Sequence, residues 1–147
     1  CKTYKSLEEA CNDPVADALI ICTPNYSHLP VLETAAKSGK PILLEKPMAT
    51  SLLDAYRILK IGQEYSSLLQ VGLQYRYKAI YQEAIASAKV QAALGSIKTI
   101  SIQEHRPPFL DKVGQWNKFS EYSGGTLVEK CCHYFDLFNY FADAQPV

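Results

Sequence analysis

Residues 18–51 read ALIICTPNYSHLPVLETAAKSGKPILLEKPMATS, and this stretch decides the fold. Ala18 to Cys22 is an apolar run of strand length without alternation, the pattern of a strand covered on both faces. Thr23-Pro24-Asn25 ends it. Leu29 to Ser38 has helical character, with Ser27 as the expected N-cap and Pro30 tolerated in the first turn. Gly39 suits the helix C-terminus, and Pro41 to Leu44 is a second apolar strand. A strand, a helix and a strand in this order predict parallel pairing through a right-handed crossover.

Working outward, Leu7 to Cys11 reads as the end of a short helix, and Asn12-Asp13-Pro14 breaks it. Downstream, Ser51 to Ser66 is a helix with Leu53, Ala55, Ile58, Leu59 and Ile61 as its apolar positions. Leu68 to Leu73 is a third strand. The alternation predicts an α/β fold with a doubly wound parallel sheet. After Gln74 the pattern changes, which places a domain junction near Tyr75. Tyr77 to Ala93 reads as an exposed helix, Gly95 as its stop, and Ile97 to Gln103 as an alternating, half-buried strand. Residues 105–125 hold Pro107, Pro108, Gly114, Gly124 and Gly125 and read as loop. Leu127 to Ala142 is the expected final helix.

Totals exclude several classes. The 147 residues carry 15 Lys plus Arg against 15 Asp plus Glu, so the basic excess of a nucleic-acid binder is absent. Hydrophobic residues at 48% and charged residues at 20% fit a soluble globular protein, and no apolar run has the length of a membrane span. Five cysteines in no regular framework point to free thiols and a reducing compartment, hence the cytoplasm. The chain opens at Cys1 rather than Met, so further sequence is expected upstream.

Three constellations carry chemistry. Thr23-Pro24-Asn25 with His28 lies at the carboxyl end of a strand, where open α/β sheets bind ligands; the plain alternative is an ordinary strand-to-helix turn. Glu45-Lys46-Pro47 ends the next strand on the same rim. Pro47 biases Lys46 toward an extended backbone, projecting the lysine toward the crevice, where it can polarise a substrate oxygen; the alternative is a solvated surface lysine. In the last helix Glu129, His133 and Asp136 form one stripe among Leu127, Val128, Phe135, Leu137 and Phe138. Ionisable groups on a buried helix need partners or a cleft. Histidine is suited to pass a proton near neutral pH, and Glu129, near the expected helix start, is favoured by the macrodipole. A core histidine satisfied by a carboxylate is the alternative. Cys131, Cys132, His133 and His105 are zinc-ligand types, but adjacent cysteines on a helix point about 100° apart, so no metal site is expected.

These residues resemble a known family. The stretch at 18–51 resembles the second half of the Rossmann domain in the Gfo/Idh/MocA oxidoreductases. GGTLVEKCCHYFDLF, at 124–138, resembles that family's later motif, in which Gly-Gly leads to an Asp with a His four residues on. The two motifs stand in family order, and the likeness covers nearly the whole chain. It implies the C-terminal half of a Rossmann domain over 1–75, then the start of an α+β substrate domain with an open sheet over 76–147. It further implies NAD or NADP as cofactor, a sugar, polyol or related cyclic alcohol as substrate, and a homo-oligomer built through the open sheet. No nucleic acid or membrane partner follows from it.

Carried over residue by residue, Lys46 contacts cofactor and substrate, His133 is the catalytic acid/base, and Glu129 stands where an aspartate is usual. Cys22, Thr23, Pro24, Asn25, His28, Glu45, Lys46 and Pro47 belong to the cofactor rim. Arg76 and Trp116 join Lys46 and His133 toward substrate. Cys131 replaces a common glycine, and together with Glu129 it reads as the mark of a subfamily. The Gly-rich turn that holds the pyrophosphate would lie before Cys1. The 147-residue chain by itself is therefore expected to bind dinucleotide poorly and to be inactive, and tight NADH binding by it would contradict that. A non-catalytic, ligand-binding member of the same fold is the alternative.

Overall fold

The computed structural model describes residues 2–91, 95, 97–105, 111–144 and 146. Helix α1, Leu7–Asn12, is capped by Ser6, whose hydroxyl accepts the Glu9 N–H at 3.1 Å. Strand β1, Leu19–Ile21, leads through a 3-10 turn to helix α2, His28–Ala35. A second 3-10 turn, Ala36–Ser38, closes at Gly39 in the left-handed region, φ 68°. Strand β2, Ile42–Leu44, helix α3, Leu52–Glu64, and strand β3, Leu69–Val71, complete the first half. Ser51 caps α3 by accepting the Asp54 N–H.

The three strands pair in parallel in the order β1-β2-β3, with Leu19, Ile42 and Leu69 in one register row and Ile21, Leu44 and Val71 in another. Two right-handed crossovers that step the same way along a sheet place both helices on one face. Leu32, Ile42, Leu44 and Ile58 are accordingly buried with Cys11, Ile21, Leu29, Ala35 and Ala49 in one cluster. Each fully buried Leu or Ile there contributes about 1.5–3 kcal/mol. The other face shows Ile20, Leu43 and Gln70 in register, and Ile20 is 66% exposed. Of the two covered faces expected for β1, this chain supplies the helices of one, since the strand order places α2 and α3 on the same side.

Two further details depart from the pattern reading. Ser27 sits at the start of α2, but its hydroxyl donates to the Pro24 carbonyl at 2.7 Å instead of capping. In α3, Ile58 faces the core with Ala55 and Ile61 beside it, while Leu53 and Leu59 are exposed.

After β3 a 3-10 turn, Gln74–Tyr77, leads to helix α4, Ala79–Gln91, whose residues 79–87 are mostly exposed apart from Ile85; the expected end at Ala93 lies outside the described residues. Residues 97–103 form no strand. Ile100 and Ile102 are half-buried between exposed neighbours, so the alternation is real, but a ladder needs a partner strand and none is described in this half. Pro107 and Pro108 lie outside the described residues. The expected loop at 105–125 contains a 3-10 segment, Val113–Lys118, kinked at Gly114 and Gln115, and a short helix α5, Ser120–Ser123. The expected single helix from Leu127 is two, α6, Gly125–Glu129, and α7, Cys132–Ala142. The break falls where both the Lys130 and Cys131 N–H groups turn onto the Thr126 carbonyl. Leu127 and Phe135 are exposed, so the segment is less buried than its apolar content suggests.

Candidate functional site

The ends of β1 and β2 lie side by side, since the Glu45 N–H donates to the Ile21 carbonyl at 3.0 Å. His28, 1% exposed, ties these ends together: Nε2 meets the Thr23 carbonyl at 3.0 Å and Nδ1 the Pro47 carbonyl at 2.9 Å. Both ring nitrogens face backbone, which makes His28 a brace for the rim. Glu45 turns back so that its carboxylate accepts the Lys46 N–H at 3.1 Å and lies over Gly72. A Cβ at Gly72 would stand 3.3 Å from that carboxylate, so the close approach uses the missing side chain. The Lys46–Pro47 peptide bond is cis. Cys22 is exposed at the strand end, whereas the Thr23 hydroxyl is buried and has no hydrogen-bond partner among the described residues.

From this rim two side chains reach the second half. Lys46 Nζ donates to the Glu129 carbonyl at 3.0 Å and lies 3.4 Å from its carboxylate. Asn25, 5% exposed, donates to the other carboxylate oxygen at 2.5 Å and to the Ser123 carbonyl at 3.2 Å. Glu129 is 9% exposed. A buried carboxylate needs both a counter-charge and donors, and here Lys46 supplies the first and Asn25 the second. The macrodipole expected to favour Glu129 does not act as anticipated, because Glu129 ends α6 rather than starting a helix.

Gly124 makes the approach of the two halves feasible. Its φ is +81°, and an added Cβ would fall 2.7 Å from Val128 Cγ1 and 3.2 Å from Thr50 Cα, just past the Lys46 strand end.

His133, 3% exposed, lies one residue into α7. The Tyr75 ring stacks on it with centroids 3.9 Å apart and planes 4° from parallel. Arg76 forms a two-point pair with Asp136, Nε to Oδ2 at 2.8 Å and Nη2 to Oδ1, and lies over Tyr140. Asp136 in turn holds the Arg76 guanidinium above its ordinary pKa. Burial pushes the Cys132 thiol up, against a smaller opposing pull from Lys46, which keeps it protonated and a poor nucleophile. Its Sγ–H points to the Glu129 carbonyl at 3.9 Å. Among the described residues no group of three or more His, Cys, Asp or Glu is placed to hold a metal ion, and no helix is long and apolar enough to cross a membrane.

The sequence-derived candidates therefore separate into two groups. Lys46, Glu129 and Asn25 converge, and His133 follows Glu129 by four residues, across the break into α7. Trp116 belongs to a different cluster, edge-on to Tyr26 at 6.5 Å, with Tyr122 tilted against Tyr26 at 5.2 Å. Arg76 engages Asp136 through two of its donors. Pattern reading missed the Asn25–Glu129 bond and the Tyr75 stack. The only local hint of the latter was an aromatic residue next to an arginine directly after a strand.

The rim fits a ligand with polar atoms. The Thr23 hydroxyl, without a partner among the described residues, stands at the carboxyl end of β1, beside the strand end that carries Lys46, in the position where open sheets take nucleotides. Residues 1–73 match the Gfo/Idh/MocA model described as an oxidoreductase family with an NAD-binding Rossmann fold, and residues 89–147 match that family's C-terminal alpha/beta domain. A D-xylose 1-dehydrogenase [NADP(+)] of Haloarcula marismortui is 31% identical over 99% of this chain and 41% of its own length. An inositol 2-dehydrogenase of Rhizobium meliloti is 28% identical over 99% and 42%. The crystal structure of the WlbA dehydrogenase from Bordetella pertussis, in complex with NADH and UDP-GlcNAcA, is similar at TM-score 0.75 and 29% identity, over 94% of this chain and 40% of that one. The chain spans about two fifths of the length of the curated relatives it matches.

Proposed function

The chain belongs to the Gfo/Idh/MocA oxidoreductase family, and on that premise we propose that the whole protein moves a hydride between NAD or NADP and a secondary alcohol carbon of a sugar, polyol or related cyclic alcohol. The observation that carries the proposal is the meeting of Lys46, from the strand rim, with Glu129, 83 residues away and four residues before His133 across the break between α6 and α7. The names of relatives, a xylose dehydrogenase and an inositol dehydrogenase, support the substrate class. Residues 1–75 serve as part of the dinucleotide-binding domain and 76–147 as part of the substrate domain.

A bound nicotinamide supplies the hydride acceptor or donor. The chain supplies the rest. His133 takes the hydroxyl proton in the oxidation direction and returns it in reduction. The Lys46 ammonium stabilises negative charge developing on the same oxygen. Glu129 holds Lys46 and is itself held by Asn25, so the cation is in place before the alcohol arrives. Cys22, Thr23, Pro24, Asn25, Glu45 and Lys46 make up the rim toward the dinucleotide, with His28 and Pro47 bracing it.

Steady-state oxidation of a sugar and polyol panel by the whole protein tests the reading. Lys46→Ala and His133→Ala are each expected to lower turnover by about 10²–10⁴-fold with the fold retained. Near-normal turnover in either variant would refute the role given to that residue. The second reading, a non-catalytic ligand-binding member, draws on the double engagement of Lys46 by Glu129, which occupies two of the lysine's three donors. It predicts sugar and cofactor binding with no absorbance change from NAD(P)H in the wild type.

A further inference from the structure

We infer that Tyr75 is a positioning residue for His133, and that the Tyr75–Arg76 pair sets the imidazole plane relative to Lys46. The inference rests on the reading of His133 as the proton-transferring group. A histidine ring has a broad terminal torsion, and proton transfer requires a ring nitrogen to point along the bond to the moving proton. Packing must therefore hold the plane.

Tyr75 is 5% exposed, and its ring is within 4° of parallel to the His133 imidazole. Lys78 Nζ lies 3.4 Å from the Tyr75 centroid. The imidazole already covers one face, so the ammonium sits against the other, and the phenol is gripped from both sides. Tyr134 meets the same ring edge-on at 6.1 Å.

The backbone under Tyr75 is equally constrained. Tyr75 follows β3 in the 3-10 turn Gln74–Tyr77, and β3 is joined to β2 by the Gly72 N–H on the Leu44 carbonyl at 2.7 Å. Lys46 is two residues past Leu44. On the other side, Arg76 pairs with Asp136, three residues after His133 on α7. The turn thus touches α7 through the Tyr75 ring, on His133 and Tyr134, and through the Arg76 guanidinium, on Asp136 and Tyr140. The contacts run without a gap from Lys46 through β2, β3 and Tyr75 to His133. In this arrangement Arg76 anchors the turn, where the family resemblance implies a place toward substrate.

The test uses the whole protein with Tyr75→Leu, Tyr75→Phe and Arg76→Lys, measuring kcat, both KM values and the NMR shifts of the His133 ring protons. Tyr75→Leu is expected to lower kcat about 10- to 100-fold, as a misplaced group does, with cofactor and alcohol KM little changed. The upfield ring-current shift of the His133 protons should vanish in the same variant. Tyr75→Phe keeps the ring, so the shift and most of kcat should return. Arg76→Lys keeps the charge but loses the fork, and kcat should fall with alcohol KM constant.

Wild-type kcat in Tyr75→Leu would overturn the inference, as would equal damage in Tyr75→Phe, which would assign the effect to the hydroxyl. An alcohol KM raised at constant kcat in Arg76→Lys would return Arg76 to the substrate. Should Tyr75→Leu not fold, the other two variants decide the matter. A wild type inert toward every alcohol would overturn the reading of His133, and the positioning role with it, even where the ring-current shift is present.

Discussion

Leu32, Ile42 and Leu44 on one side of the junction, and Ser123, Glu129 and His133 on the other, are buried to similar depth by different physics. The first set packs hydrocarbon under a three-stranded sheet, and its contacts come from neighbouring elements of one strand–helix–strand series. The second set buries polar groups, and its partners come from the first half: Asn25 and Lys46 for Glu129, Tyr75 for His133. Buried hydrocarbon needs only neighbours of suitable volume, while a buried carboxylate needs particular donors at particular distances. The first half can therefore organise by its own apolar pattern. The second is specified at the surface where it meets the first.

This contrast predicts a graded set of effects in urea unfolding of the chain. Leu44→Ala, in the hydrocarbon set, should cost about 2–5 kcal/mol; a loss below 1 kcal/mol would mean that the sheet core is not what holds the first half. Gly124→Ala strikes the contact between the halves. Its left-handed backbone and the crowding against Val128 and Thr50 should together cost about 2–4 kcal/mol, and a neutral result would show that the halves do not approach as closely as described.

Asn25→Ala probes the polar set. It leaves a Glu129 oxygen and the Ser123 carbonyl without a donor, for about 1–3 kcal/mol. If Glu129 depends on Asn25, the double variant Asn25→Ala/Glu129→Ala should show less than the sum of its parts in a double-mutant cycle. Strict additivity would separate the two residues.

The smallest effect lies far from the junction. Lys2, the Val15 N–H and the Tyr4 hydroxyl hold the Asp13 carboxyl well below the usual carboxylate range. A carboxyl whose folded pKa is depressed contributes stability above its unfolded value, and that contribution is lost as pH falls through the folded one. Asp13→Asn should therefore lower Tm at pH 7, and the gap to wild type should narrow below about pH 4. A gap that widened on acidification would exclude this origin.

Much of the first half was legible without coordinates. The three strands, α2, α3 and the Gly39 stop each depend on residues within one turn or one strand of each other. The errors have equally physical causes. A strand was expected at 97–103 because alternation records half-burial, and half-burial does not require a ladder. A single helix was expected from Leu127 because local composition does not register the shared Thr126 carbonyl that ends α6.

The site divides along the same line. The sequence determined which residues were candidates, since Lys46 and His133 stand in motifs whose chemistry is local: a lysine before proline at a strand end, and a histidine four residues after an acid. Only the tertiary structure decided their partners. Asn25 and Glu129 are 104 residues apart, and Arg76 and Asp136 are 60 apart. No periodicity spans such separations, because the direction in which the chain leaves β3 determines which side chains meet. That direction depends on the packing of Gly124 against Thr50 and of Tyr75 against His133, contacts that arise only once both halves have folded.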